Sequence, residues 1–312
     1  MNLRFRSLLL LAALLPFGGC SRTRPVDRPL STAVLKEATL EQLLQTVSSN
    51  ASSLHTLNAD IDVDTSVGGK KKGKVTDYSQ FSGHLLVRKP DMMRMIGLFP
   101  VVRNKLVDMV STGENFRVSL PSRQKFIIGS NRISKPSDQA IENWRPQYIY
   151  EALFVKEVDP QTEQAVLEQS MEVVKDPNTH KDAEQPDYVV IVIRKDADRA
   201  YLSRKIVFSR TDLMPHEQMI YDAQGQLVTD VHYGAFVDYS GVSFPSVVQL
   251  VRPVEEYGIT LTIRALRANE PLTDDKFVLA QPPGSVLVNL DEKSSAQNQP
   301  TVNSDTPKKR AQ

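Results

Sequence analysis

Cysteine is almost missing: of 312 residues only Cys20 carries a thiol. A lone thiol excludes an internal disulfide framework and any metal site built on several thiolates. Tryptophan is as scarce, with Trp144 the single example. An excess of either charge is lacking too, since 38 Lys and Arg stand against 37 Asp and Glu. That balance offers no basic footprint for phosphate backbones, which argues against nucleic acid. No apolar run reaches the roughly 20 residues of a membrane-spanning helix. Internal repeats are absent.

The longest apolar run lies at the N-terminus. Arg4 and Arg6 precede "SLLLLAALLP", an apolar core of about the 7–15 residues typical of an export signal. "FGGC" then ends at Cys20. Two small residues before a cysteine resemble the bacterial lipobox, with Phe17 standing where leucine is usual. The resemblance implies cleavage before Cys20 and acylation of its thiol; the alternative is an ordinary signal peptide that contains a cysteine. Ser21, a residue other than Asp, is expected by analogy with proteobacterial sorting to direct the chain to the outer membrane, anchored by lipid and facing the periplasm. The organisation read from the sequence is a signal peptide over 1–19, a lipidated cysteine and polar tether over 20–35, one domain over 36–290 and a disordered polar tail over 291–312. Removing residues 1–19 takes Arg4 and Arg6 away, so 36 basic residues remain against 37 acidic, a net charge of −1.

Helical periodicity is rare. Leu40, Leu43, Leu44 and Val47 recur at i, i+3, i+4 and i+7, behind Thr39 as N-cap with Gln42 completing a capping box. Arg145–Phe154 gives a second short helix, with Pro146 in its first turn and Tyr148, Ile149, Ala152 and Phe154 on its apolar side. Nearly everything else alternates with period two: Phe81, Gly83, Leu85 and Val87; Phe116, Val118 and Leu120; Ile259, Leu261 and Ile263. "YVVIVIR", Tyr188–Arg194, is apolar on both faces and reads as a central strand. About eleven strands are expected. The fold class is mainly β with few helices. An antiparallel sheet of that size must curl or split, because open sheets rarely exceed ~10 strands. If it curls, two helices cannot fill its concave face, and a cavity results. The alternative is a two-sheet sandwich with no cavity.

Several segments, in order from about Leu40 to Pro283, resemble the LolA/LolB-like family of periplasmic lipoprotein-localisation factors. They are "GHLLVRKPDMMRM", "VDMVSTGENFRVSLPSRQKFIIG", "DLMPHEQMIYDAQGQLVTDVHYGAF", "GVSFPSVVQL" and "LTDDKFVLAQPPG". The resemblance implies a curved antiparallel sheet forming a half-open, incomplete β-barrel with a helical lid over an apolar cavity for acyl chains. It implies that Arg94 contacts the lid. It also implies a membrane-inserting loop, matched here by Gly97-Leu98-Phe99-Pro100 in place of the family's Gly-Pro-Leu-Gly. Leu98, Phe99, Val101 and Val102 would form the tip, led up by Met92, Met93 and Met95 and flanked by Arg94, Arg103 and Lys105. The other reading of the same stretch is that it folds back into the core. The expected cavity lining is Leu40, Leu43, Leu44 and Val47 from the helix with Phe81, Leu85, Val87, Met93, Met95, Phe116 and Val118 from the strands.

Other motifs carry less. "GGKKKGKV" nearly spells a phosphate-binding loop but has Val75 where Ser or Thr must stand, and lies between strands. Asp60, Asp62 and Asp64 in "DIDVD" share one face of a strand and read as a solvent-facing edge. His55, His84, His180, His216 and His232 show no metal spacing. "YSGVS" is no nucleophile elbow. Trp144 reads as a core or lid-edge residue. The sequence thus points to a monomeric, cofactor-free binding protein whose partners are acylated lipoproteins or lipids. The second reading is a regulatory or assembly scaffold of the envelope, and the third, an envelope hydrolase, has no motif behind it.

Overall fold

The computed structural model describes residues 34–69, 73–131, 144–175, 180, 182–196 and 198–292. The expected signal peptide, Cys20, most of the tether, Lys70–Lys72 of the "GGKKKGKV" stretch and residues 293–312 lie outside the described residues. The chain divides into two compact units, Ala33–Ser170 with Pro186–Gln312, and Met1–Thr32 with Met171–Gln185. In the smaller unit the described residues include an ion pair of Lys175 with Asp182 at 2.7 Å.

The elements in chain order are α1 (Leu40–Ser53), β1 (Thr56–Gly69), β2 (Lys74–Arg88), β3 (Met92–Leu98), β4 (Lys105–Thr112), β5 (Asn115–Leu120), β6 (Lys125–Ser130) and α2 (Pro146–Leu153). There follow β7 (Glu163–Lys175), β8 (Asp182–Asp196), β9 (Arg199–Ser209), β10 (Pro215–Tyr221), β11 (Leu227–Tyr233), β12 (Phe236–Tyr239), β13 (Val242–Pro245), β14 (Val247–Arg252), β15 (Tyr257–Ala268) and β16 (Val286–Asn289). Fourteen strands form one curved sheet in the order β16-β6-β5-β4-β3-β2-β1-β15-β14-β11-β10-β9-β8-β7, which does not close into a barrel. β12 and β13 make a separate hairpin. The strand count exceeds the eleven expected partly because β12, β13 and β16 are only four residues long, too short for an alternating pattern to register. The sheet is curved, as expected, and is not divided into the two face-to-face layers of a sandwich.

Two placements differ from the sequence reading. β1 is internal, between β2 and β15, so "DIDVD" is no sheet edge. Its acids face away from the core and are partnered across the strands: Asp60 by His84 at 2.7 Å, Asp62 by Ser82 at 2.9 Å and by Arg264, and Asp64 by Gln80 at 3.0 Å. β8 is next to last in the sheet, not central. Its Tyr188, Val190 and Val192 are buried because α1 lies over them with Leu43 and Val47.

Both helices pack on one face. α1 starts as its capping box predicts: Thr39 N–H donates to Gln42 Oε1 at 2.9 Å while Gln42 N–H donates to Thr39 Oγ1 at 3.4 Å. α2 begins with Pro146 at a position whose N–H would be unpaired in any case. It buries Ile149, Ala152 and Leu153 in the main core, which includes Met93, Met95, Val118 and Leu261. The Arg252 guanidinium sits 3.8 Å from the Tyr148 ring centroid and pairs with Glu255, fixing the outer side of α2. The opposite face is crossed by the segment after β15. Phe277 and Leu279 are buried there with Val110 and Phe126, and Arg88 and Arg117 donate to the carbonyls of Leu272 and Leu279.

Candidate functional site

Strand order sets one end of the sheet. The β3–β4, β5–β6 and β14–β15 connections turn there, beside the end of β1 and the start of β2, since each pair is antiparallel. Below these turns, on the helix-bearing face, lies a pocket of about 620 Å³. Its walls are Thr65 and Val67 of β1, Tyr78 to Phe81 of β2, Phe99 and Pro100, Leu106 and Val107 of β4, Leu120 of β5, Ser122, Arg123 and Trp144. The volume falls in the ~300–1,000 Å³ range of small-molecule sites.

Gly97 explains one wall. A Cβ there would lie 2.5 Å from the Phe81 ring and 2.8 Å from Val107, so only glycine lets that ring rest against β3. A bulge where β2 pairs with β1, between Val63 and Thr65, brings Ser79 and Gln80 to the rim beside Phe81. Trp144 packs against Tyr257 at a ring distance of 6.5 Å, and its buried indole N–H has no hydrogen-bond partner among the described residues. Burial holds the Tyr257 phenol far above the ordinary tyrosine range. The Tyr150 hydroxyl, on α2, donates to the Pro90 carbonyl, and burial with nearby acids pushes it up to about 12.

The apolar loop between β3 and β4 is neither wholly exposed nor wholly folded back. Phe99 N–H donates to Asn104 O at 2.9 Å and Arg103 N–H to Phe99 O at 3.1 Å, closing a tight turn. Leu98 and Phe99 are half-buried, and Phe99 with Pro100 lines the pocket. Val101 is 90% exposed and Val102 64% exposed. Arg103 is exposed beside them, whereas Lys105 is held by Asp108 at 2.8 Å.

The expected lining residues are distributed between two places. Phe81, Leu85, Val87, Met93, Met95, Phe116 and Val118 share the main core, and of these only Phe81 borders the pocket. Leu43 and Val47, with Leu40 and Leu44 packed against them, belong to the separate cluster over β8 and β9. Where α1, the end of α2 and the β12–β13 hairpin meet, only about 50 Å³ is open. Val67, Leu106, Leu120 and Trp144 line the pocket without having been picked out as lining residues. For Leu106 the available signal was its place just after the loop, and for Trp144 its place just before Pro146.

Arg94 does not reach either helix, as the family's pattern implies it should. Strand alternation places Met93 and Met95 in the core and Arg94 on the opposite face. There it makes two bonds of 2.9 Å to the Asp108 carboxylate and donates to Lys276 O at 2.9 Å. Burial would raise the Asp108 carboxyl, but the bonds from Arg94 and Lys105 outweigh it and hold the group below the usual carboxylate range.

One titratable cluster escaped the spacing argument. Glu217, Asp230 and His232 place one ligand atom each within 4.8 Å of one another. Asp230 and His232 are two apart on β11, and Glu217 comes from β10 directly opposite His232, a juxtaposition that only the strand register reveals. A hydrogen bond to Asp230 raises the His232 imidazole above its ordinary value. Among the described residues no helix is long and apolar enough to cross a membrane.

No family profile and no curated protein matches the sequence. Solved structures similar to this chain include a DUF1329 family protein from Desulfovibrio piger, at 14% identity and a TM-score of 0.48, covering 76% of this chain and 94% of that one. A LolA superfamily protein from Nitrosomonas europaea is similar at 12% identity and 0.47, covering 78% and 99%. A domain named for outer membrane lipoprotein sorting, from Vibrio parahaemolyticus, is similar at 13% identity and 0.46, covering 77% and 97%.

Proposed function

We propose that this chain is a binding protein, not an enzyme, which takes an acyl chain into the 620 Å³ pocket while its β3–β4 loop rests on a membrane. The observation that carries the reading is the double use of that loop. Phe99 and Pro100 form a wall of the pocket, and Val101 and Val102 next to them stand in solvent. Burying each such side chain in a bilayer interface returns ~1.5–3 kcal/mol. Arg103 is placed to meet anionic headgroups. An acyl chain leaving the bilayer at the loop enters the pocket without crossing water, and each methylene it buries contributes ~0.8 kcal/mol. The cargo is an acylated lipoprotein or a lipid. Cys20, acylated, tethers the domain to the outer membrane on its periplasmic side. In this reading the helices act as fixed plugs that leave one end of the sheet to the ligand.

Trp144, the only tryptophan, is a built-in reporter in the pocket wall. The purified Cys20→Ser protein, which bears no acyl group of its own, is titrated with a spin-labelled acyl chain. Saturable quenching of Trp144, lost in Val67→Glu, is the expected result. Quenching that never saturates, or that persists unchanged in the variant, defeats the acyl-pocket reading. The filled seam between α1 and α2 favours a second reading, an envelope scaffold without lipid transfer. A stoichiometric protein partner retained by a lipid-free chain would favour that one.

A further inference from the structure

Among its described lining residues the pocket has one ionised group at neutral pH, the guanidinium of Arg123, and no carboxylate. Arg123 ends a single 3-10 turn, Pro121–Arg123, between β5 and β6. It makes no ion pair or side-chain hydrogen bond with any described residue. Other arginines of the sheet are committed: Arg94 to Asp108, Arg204 to Glu163, Arg252 to Glu255 and Arg264 to Asp62. A cation left uncommitted in a pocket whose described walls are mostly apolar and hold no carboxylate is a recognition element for an anion carried on an apolar body. Arginine suits that task because its planar fork can donate two parallel bonds to a carboxylate or a phosphate.

We propose that the pocket selects amphiphiles with an anionic head, a fatty carboxylate or a phosphate-headed lipid, whose head sits on Arg123 while its chain runs along Val67, Phe81, Leu106 and Trp144. This inference rests on the acyl-chain reading above and narrows it. A neutral head of equal size gains nothing from Arg123, so the site discriminates by charge.

The test uses the full-length Cys20→Ser chain with 16-doxylstearic acid and its methyl ester, which share one chain and differ in head charge, and reads Trp144 quenching. The acid binds about fivefold more tightly than the ester at low salt, the worth of an exposed ion pair. The preference falls as salt is raised. Arg123→Gln brings the ratio of acid to ester affinity to about one, and Arg123→Lys keeps part of the preference. Displacement of the label by palmitate or by lysophosphatidylglycerol tells a carboxylate head from a phosphate head. Either one displacing it more readily than neutral monopalmitin supports the proposal. Equal binding of acid and ester, unchanged in Arg123→Gln, overturns the proposal and leaves the acyl pocket standing. Absence of saturable binding by both probes overturns both. Displacement by inorganic phosphate as effective as by the amphiphiles overturns it in favour of a simple anion site.

Discussion

Asp108 sits almost wholly out of water, at 2% side-chain exposure, yet stays ionised because Arg94 and Lys105 both bind it. Its carboxyl lies below the ordinary value of 3.8, so its contribution to stability is complete above that value and is lost as pH falls through the lowered one. Asp108→Asn leaves Arg94 without its counter-charge and destabilises by about 3 kcal/mol in urea titrations at neutral pH. The same variant loses part of the acid-side slope of stability, which titrations repeated across the acid range would read. Gly97→Ala forces a methyl against Phe81 and Val107 and destabilises by ~1–3 kcal/mol, an overpacking cost that a thermal melt would register. Neither partnership could be read from the chain. Asp108 and Arg94 are distant in sequence and meet only through the register of β3 with β4, and resemblance placed Arg94 against a lid that alternation turns it away from.

Elements were easier to read than contacts, because capping and alternation are local. Thr39 with Gln42 announced the start of α1, Pro146 that of α2, and the period-two runs gave β2, β5 and β15 with their buried faces correct. Which surface each helix covers was not local information. Leu43 is fully buried against β8 and β9, so Leu43→Ala opens a cavity and destabilises by ~2–5 kcal/mol, measured by urea unfolding. The β3–β4 loop shows the same limit: its composition marked it as special, but its division into a pocket wall and an exposed tip follows from a turn closed by backbone bonds between Phe99, Arg103 and Asn104. Val101→Glu changes stability by less than ~0.5 kcal/mol, since the side chain contacts mostly water. It reduces co-sedimentation of the Cys20→Ser protein with anionic vesicles, and an unaltered vesicle-bound fraction would count against the loop's membrane role.

At the scale of the larger unit, an open sheet too wide to stay flat carries two helices on one face, and they fill part of that face while leaving a pocket beside Trp144. The curved β-sheet was legible as a consequence of strand number. The position of the unfilled space was not, because it depends on where two helices dock, and a stretch such as Met93 to Met95 looks equally suited to core or cavity until α2 is seen over it. The most direct measurement is native mass spectrometry of the Cys20→Ser chain purified from a bacterial periplasm, beside Leu106→Trp, in which a larger side chain occupies the pocket. A bound acyl lipid, released on denaturation from the first protein and missing from the second, is the expected result. A ligand-free mass for both, with no uptake of offered acyl chains, would contradict it.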